Sequence, residues 1–108
     1  MNDAERHAVW WYRVRGYRIL GTNVWAGGYE LDLVVRRGRR LVFCEVKSKS
    51  GPDFGDPIEM ITREKMRRVR RAAQAWLSQN RASCPGCVIT FDVVVERAGR
   101  LQCLREAF

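Results

Sequence analysis

No run of apolar residues in this chain approaches the roughly 20 needed to span a bilayer, so a membrane-spanning helix is not expected. The opening stretch MNDAERHAVWW does not read as a secretory leader, because acidic residues interrupt it and its apolar part is too short. Cysteine is sparse, at four: Cys44, Cys84, Cys87 and Cys103. Without a leader a disulfide framework is not expected. The CPGC of Cys84 to Cys87 is only half of a structural zinc site, and a plain Pro-Gly turn is the preferred reading over a redox or metal motif. Cys44 and Cys103 stand singly in apolar strands and read as small buried hydrophobes. Histidine occurs once, at His7, exposed on helical spacing and with no role assigned. There is no internal repeat and no low-complexity segment. A cytoplasmic protein is the expectation these absences leave.

Negative charge is also short. Twelve Asp and Glu stand against twenty Lys and Arg, a formal charge of +8 and a pI near 10.0, which favours a polyanionic partner, nucleic acid before an anionic membrane surface. The length of 108 residues suits one domain, 1–108, with a single hydrophobic core.

A helix is predicted over Asn2 to Arg15, with Asn2 as N-cap, Glu5 as its capping-box partner and Gly16 as the stop; Ala8, Tyr12 and Val9 share a face with Glu5. Tyr17 to Leu20 reads as a short strand and Gly21 to Gly28 as a loop with tight geometry at Asn23. Ser48 to Gly55 reads as a mobile loop. Asp56, Pro57 and Glu59 carry a helix-start signature, with a break near Thr62. From Lys65, the positions Met66, Val69, Ala73, Trp76 and Leu77 recur at helical spacing and arginines fill the remaining surface. After a turn region from Gln79 to Gly86, Val88 to Glu96 is nearly continuous in β-branched residues, as for a central strand, and a last strand lies around Leu101 to Leu104. This order implies an α/β fold with a mixed sheet flanked by helices.

The chain is organised around Glu30 to Lys47, two strands joined by a basic turn. A two-residue loop of Gly38 and Arg39, with Gly in the first position of a type II′ turn, sets Arg37 opposite Arg40. Counting outward, Asp32 lies across from Glu45 and Glu30 across from Lys47, all on one face that Val34 and Phe43 continue as apolar. The other face carries Leu31, Leu33 and Val35 against Val46, Cys44 and Val42, and both helices are expected to cover it.

Three carboxylates gathered beside one lysine repel unless a cation sits among them. Carboxylate oxygens suit a hard ion, Mg²⁺ or Mn²⁺, which takes one or two carboxylates and leaves its other positions to water and phosphate. Asp32 and Glu45 are the candidate ligands, and Lys47 would reach a water or phosphate beside them. Phosphodiester hydrolysis follows as the candidate reaction. The competing reading of the same residues is a set of cross-strand salt bridges, Glu30 with Lys47 and Asp32 with a neighbouring Arg. The phosphate-tracking surface would comprise Arg63, Lys65, Arg67, Arg70 and Arg71 on the helix with the turn residues Arg36, Arg37, Arg39 and Arg40.

An Asp followed at a distance by Glu-X-Lys, here Asp32 and Glu45-Val46-Lys47, resembles the PD-(D/E)XK nuclease superfamily. The wider pattern is similar to the YraN-like family: Glu5 with Ala8 and Tyr12, GYRIL, Asn23, the ELD of Glu30 to Asp32, LVFCEVK, FGDP from Phe54, Lys65 and its arginine-rich helix, FDVV, and Ala107-Phe108. Tyr29 departs from it, standing where that family usually has Gly. The resemblance implies a restriction-endonuclease-like core similar to archaeal Holliday-junction resolvases. It implies that Asp32 and Glu45 hold Mg²⁺, that Val46 lends a backbone carbonyl, that Lys47 assists the attacking water and that Glu5 completes the catalytic set with Glu30. It also implies DNA, branched DNA included, as substrate, and a homodimer. Trp10 and Trp11 cannot both point inward from one helix, so one of them is expected to be exposed at such a contact. A non-catalytic nucleic-acid-binding accessory protein in recombination or DNA uptake is the alternative.

Overall fold

The computed structural model describes residues 1–49, 61–80 and 84–108. Helix α1 (Asp3–Val14) leads into strands β1 (Arg18–Ala26), β2 (Tyr29–Arg37) and β3 (Arg40–Lys49), then α2 (Arg63–Gln79), β4 (Val88–Arg97) and β5 (Arg100–Leu104). The strands form one sheet in the order β1-β2-β3-β4-β5. Its neighbours are antiparallel except β3 and β4, which are parallel and joined by the crossover through α2. This is the mixed α/β sheet the pattern implied, and β4 is the interior strand expected, paired on both sides by β3 and β5.

Local chemistry sets both ends of α1. The Asn2 side chain accepts from the Glu5 N–H at 2.8 Å and Glu5 accepts from the Asn2 N–H at 2.9 Å, the reciprocal capping box. At the other end Gly16 takes φ of 87°, and the bonds from Gly16 N to Arg13 O and from Tyr17 N to Tyr12 O, both 3.0 Å, complete a Schellman motif. Thr62, where a break was expected, is the N-cap of α2 and accepts from the Lys65 N–H. The Asp56, Pro57 and Glu59 signature lies outside the described residues, as does most of the Ser48 to Gly55 loop; Ser48 and Lys49 themselves continue β3.

The two helices lie on opposite faces of the sheet, which corrects the expectation that both cover one. Ala8, Val9 and Tyr12 of α1 pack on Leu33, Val35, Val42 and Cys44. Val69, Ala72, Ala73 and Trp76 of α2 pack on Val34, Leu41 and Phe43. In the middle of β2 and β3 both alternating sets are apolar, so each face needs a cover. Leu31 joins the α2 side, away from Leu33, beside the point where Asn23 of the neighbouring strand takes φ of 49°.

Strand β1 runs to Ala26, well past the Leu20 expected, because it pairs with β2 as far as Ala26 with Tyr29. The Gly27-Gly28 turn that follows touches α2. A Cβ on Gly27 would come within 3.1 Å of the Ala75 Cβ and 3.2 Å of the Arg71 carbonyl, so a side chain there would push helix and sheet apart. Two further corrections concern cysteine. Cys84 and Cys87 are joined in a disulfide, their Cα atoms 5.6 Å apart across the Pro85-Gly86 turn, since a turn this tight brings residues three apart within bonding range. Cys44 is buried as expected, while Cys103 is only half-buried because β5 is an edge strand.

Candidate active site

The predicted II′ turn sets the register of the β2–β3 hairpin. Gly38 has φ of 59°, Arg39 is not among the residues of positive φ, and Arg37 pairs with Arg40. Paired residues continue to Leu33 with Cys44; one step further lie Asp32 and Glu45. There the ladder gives way to a side-chain bond, the Val46 N–H donating to Asp32 Oδ2 at 2.9 Å. In a strand a residue's N–H and C=O point to the same side, so the Val46 carbonyl is also directed to this edge of β3.

Glu45 is 2% exposed and pairs with Lys65 at the start of α2, Nζ to Oε2 3.2 Å. Burial first, and the Glu45 charge second, push the Asp32 carboxyl up to about 7 from 3.8, against the lowering effect of the Val46 N–H. Lys47 extends into the same region and is held below its ordinary value by burial and by the neighbouring Lys65 ammonium. Lys65 is raised: burial opposes its charge, but the contacts with Lys47 and Glu45 outweigh it. Tyr29, half-buried beside Glu45 and Lys65, has its hydroxyl raised by burial and then by the Glu45 charge. The departure at Tyr29 thus falls inside the cluster.

Glu5 reaches this end of the sheet from α1 and uses its two oxygens differently. Oε1 completes the capping box and Oε2 accepts from Asn23 Nδ2 at 2.8 Å. The same Nδ2 lies 3.3 Å from Oε1 of the exposed Glu30. Asn23 is therefore the link between Glu5 and Glu30, a role the sequence signalled only as tight backbone geometry. Among the described residues the ion pairs include neither Glu30 with Lys47 nor Asp32 with an Arg, so the salt-bridge reading of the hairpin does not account for these charges.

The arginines are dispersed. Arg63 and Arg67 lie on the first turns of α2 near Lys65, whereas Arg70 lies over the rings of Phe91 and Phe108, 6.0 and 5.6 Å from their centroids, and Arg71 is exposed further along. Arg36, Arg37, Arg39 and Arg40 sit at the opposite end of the hairpin from Asp32 and Glu45. Arg37 donates to the Arg15 carbonyl at 2.9 Å and Arg39 to the Gly86 carbonyl at 3.0 Å, so these side chains also tie the turn to its neighbours. Lys65, counted among the phosphate-tracking residues, belongs to the carboxylate cluster, as its helical register with Val69, Ala72 and Trp76, which turns it toward the sheet, implies. His7, given no role, bonds Glu96 of β4 through Nδ1 at 2.8 Å.

Among the described residues no three of His, Cys, Asp and Glu gather closely enough to hold a metal by themselves. A hard divalent ion asks for less: two carboxylates and a backbone oxygen, with water and phosphate for the rest. Asp32, Glu45 and the Val46 carbonyl are the groups that would supply that set, and the Asp32 carboxyl, raised first by burial and then by the Glu45 charge, is one whose ionised form a cation would favour.

Five mixed strands with a helix on each face, and an Asp, a Glu and a Lys gathered at one end of the central hairpin, are consistent with a restriction-endonuclease-like α/β core. The chain belongs to uncharacterised protein family UPF0102, the family of the YraN proteins, whose model matches residues 4–95. It is 38% identical over 100 residues to a UPF0102 protein of Vibrio campbellii, covering 92% of this chain and 82% of that one. A UPF0102 protein of Alkalilimnicola ehrlichii is 37% identical over 107 residues, covering 99% and 84%. The UPF0102 protein YraN of Escherichia coli O1:K1 is 31% identical over 104 residues, covering 96% and 79%. The resemblance drawn from Asp32, Glu45-Val46-Lys47 and the surrounding pieces is thereby borne out at the level of the family.

Proposed function

We propose that this chain is a metal-dependent DNA endonuclease that hydrolyses phosphodiester bonds in the cytoplasm, with branched DNA among its substrates. The observation that carries the reading is the convergence of Asp32 and Glu45 at the open end of the hairpin, with an Asp32 carboxyl that gains from a nearby cation. Asp32, Glu45 and the Val46 carbonyl would hold Mg²⁺ or Mn²⁺. When bound, such an ion supplies Lewis-acid polarisation of the phosphodiester and acidifies water. Lys47 gives up its proton more readily than a free lysine, which suits a group exchanging hydrogen bonds with the attacking water. Asn23 bonds Glu5 and Glu30 beside this centre, and Arg63 and Arg67, on the first turns of α2 near Lys65, would contact the phosphates of a bound strand.

Nicking of branched and linear DNA with Mg²⁺ or Mn²⁺ tests the proposal. Losing an outer partner of a metal ligand costs about 10- to 100-fold, so losing a ligand in Asp32→Asn or Glu45→Gln should slow cleavage at least about 100-fold. DNA binding should persist or tighten, because a negative charge near phosphate is gone. Lys47→Ala should slow cleavage while leaving metal binding in place.

One observation favours a second reading. Lys65 pairs with Glu45 at 3.2 Å and balances its charge, an arrangement that serves a non-catalytic nucleic-acid-binding protein equally well. Asp32→Asn cleaving as fast as the parent, or a parent that binds DNA and never cuts it, would select that alternative.

A further inference from the structure

The outer side of α1 and the edge strand β1 enclose a groove of about 520 Å³, lined by Arg6, Val9, Trp10 and Arg13 on the helix and by Ile19 to Thr22 on the strand. Its composition is unusual for a surface that none of the described residues covers. Trp10 is 58% exposed and Leu20 37% exposed, yet the apolar floor is bracketed by two cations. Arg6, Trp10 and Arg13 are spaced four and three apart, which aligns them on one helix face with the indole between the guanidinium groups. The two arginines are about 10 Å apart along the axis. One end of the groove adjoins the candidate active site, since Arg6 follows Glu5 and Thr22 precedes Asn23, the residues joined at 2.8 Å.

We propose that this groove binds a single-stranded nucleic-acid segment next to the phosphodiester to be cut, with an unstacked base on Trp10 and phosphates on Arg6 and Arg13. The inference rests on the nucleic-acid reading above and narrows its substrate class to DNA carrying an unpaired segment. A cation-bracketed indole matches what single strands require: a π-face that any base can stack on and positive charge that follows the backbone. An uncharged peptide or neutral lipid would use the apolar floor but would leave Arg13 opposite no anionic group and Arg6 with only its exposed ion pair to Asp3 at 3.5 Å. A duplex keeps its bases stacked and could meet the arginines but not the indole.

Binding should be measured by fluorescence anisotropy in EDTA with a short oligothymidylate and with a blunt duplex of mixed sequence. Removing a stacking aromatic from a single-strand site weakens binding by about five- to 100-fold, so Trp10→Ala should do this for the oligothymidylate and change duplex affinity by less than about twofold. Arg13→Ala should weaken the single strand as well, and Trp10→Phe should restore most of the loss. Circular dichroism of each variant checks folding at these exposed positions. If Trp10→Ala binds the oligothymidylate as tightly as the parent, the groove assignment fails, while duplex binding and cleavage would leave the endonuclease reading standing. If the parent binds neither probe nor a branched DNA of the same strands, the nucleic-acid reading itself fails. If sedimentation shows a parent dimer that Trp10→Ala separates, the groove is an interface between copies of the chain and the proposal is overturned.

Discussion

Asp32 shows how a single side chain can make the molecule less stable for the sake of its position. A carboxyl raised by burial and by Glu45 from 3.8 to about 7 binds its proton more tightly in the folded state than in the unfolded one. Between those values the native state carries more protons, so stability falls as pH rises through the window and the loss is complete above about 7. Urea unfolding at pH 5 and pH 8 should show this decline in the parent and a flatter profile in Asp32→Asn. At pH 8 the variant should be the more stable by roughly 1–3 kcal/mol. A divalent ion competes with the same proton, so Mg²⁺ should stabilise the parent more at pH 8 than at pH 5 and should do little for Asp32→Asn. Equal stability of the two proteins at pH 8 would mean that the Asp32 charge is already balanced.

At the scale of elements, the site depends on how closely the β1–β2 turn docks on α2. Gly27 combines φ of 58° with backbone 3.2 Å from where its Cβ would stand, so Gly27→Ala meets both conformational strain and overlap with the Arg71 carbonyl. It should cost about 1–3 kcal/mol in a denaturant titration, whereas Gly28→Ala, with open space around it, should cost only its strain of about 1 kcal/mol. Comparing the two separates docking from backbone conformation. On the other face, Tyr12 of α1 donates to Asp92 of β4 at 2.7 Å and Asp92 also accepts from the Glu106 N–H at 3.1 Å, so one buried carboxylate joins helix, sheet and C-terminal tail. That bond gives the buried Tyr12 hydroxyl, in the last turn of α1, the partner that its burial requires.

At the scale of the molecule, basic side chains occupy both ends of the sheet and leave the carboxylate cluster as an acidic inset at one of them. No helix among the described residues is long and apolar enough to cross a membrane. Binding to DNA should therefore rest on many dispersed phosphate contacts, with log affinity falling by about 0.9 per phosphate for each decade of salt. A titration from low to physiological salt should lower duplex affinity by about tenfold or more. A flat response would remove nucleic acid as the main partner.

Short-range rules made much of this legible from sequence. The Asn2–Glu5 capping box, the Gly16 stop and the Arg37–Arg40 pair each depend on residues within a few positions of one another. The hairpin register then follows by counting, and with it the approach of Asp32 to Glu45. Tertiary structure decided what counting along the chain could not reach. The two faces of β2 and β3 are both apolar at their centre, so no local pattern says that α1 takes one and α2 the other. The extension of β1 reflects the partner offered by β2, and the place of Asn23 between Glu5 and Glu30 exists only once α1 and the sheet meet. Helical register turns Lys65 toward the sheet, but it lies 20 positions beyond Glu45 in the sequence, and only the crossover of α2 sets one against the other. Contacts between distant segments follow from the packing of whole faces, where burial is shared by many residues and no single residue carries its signature.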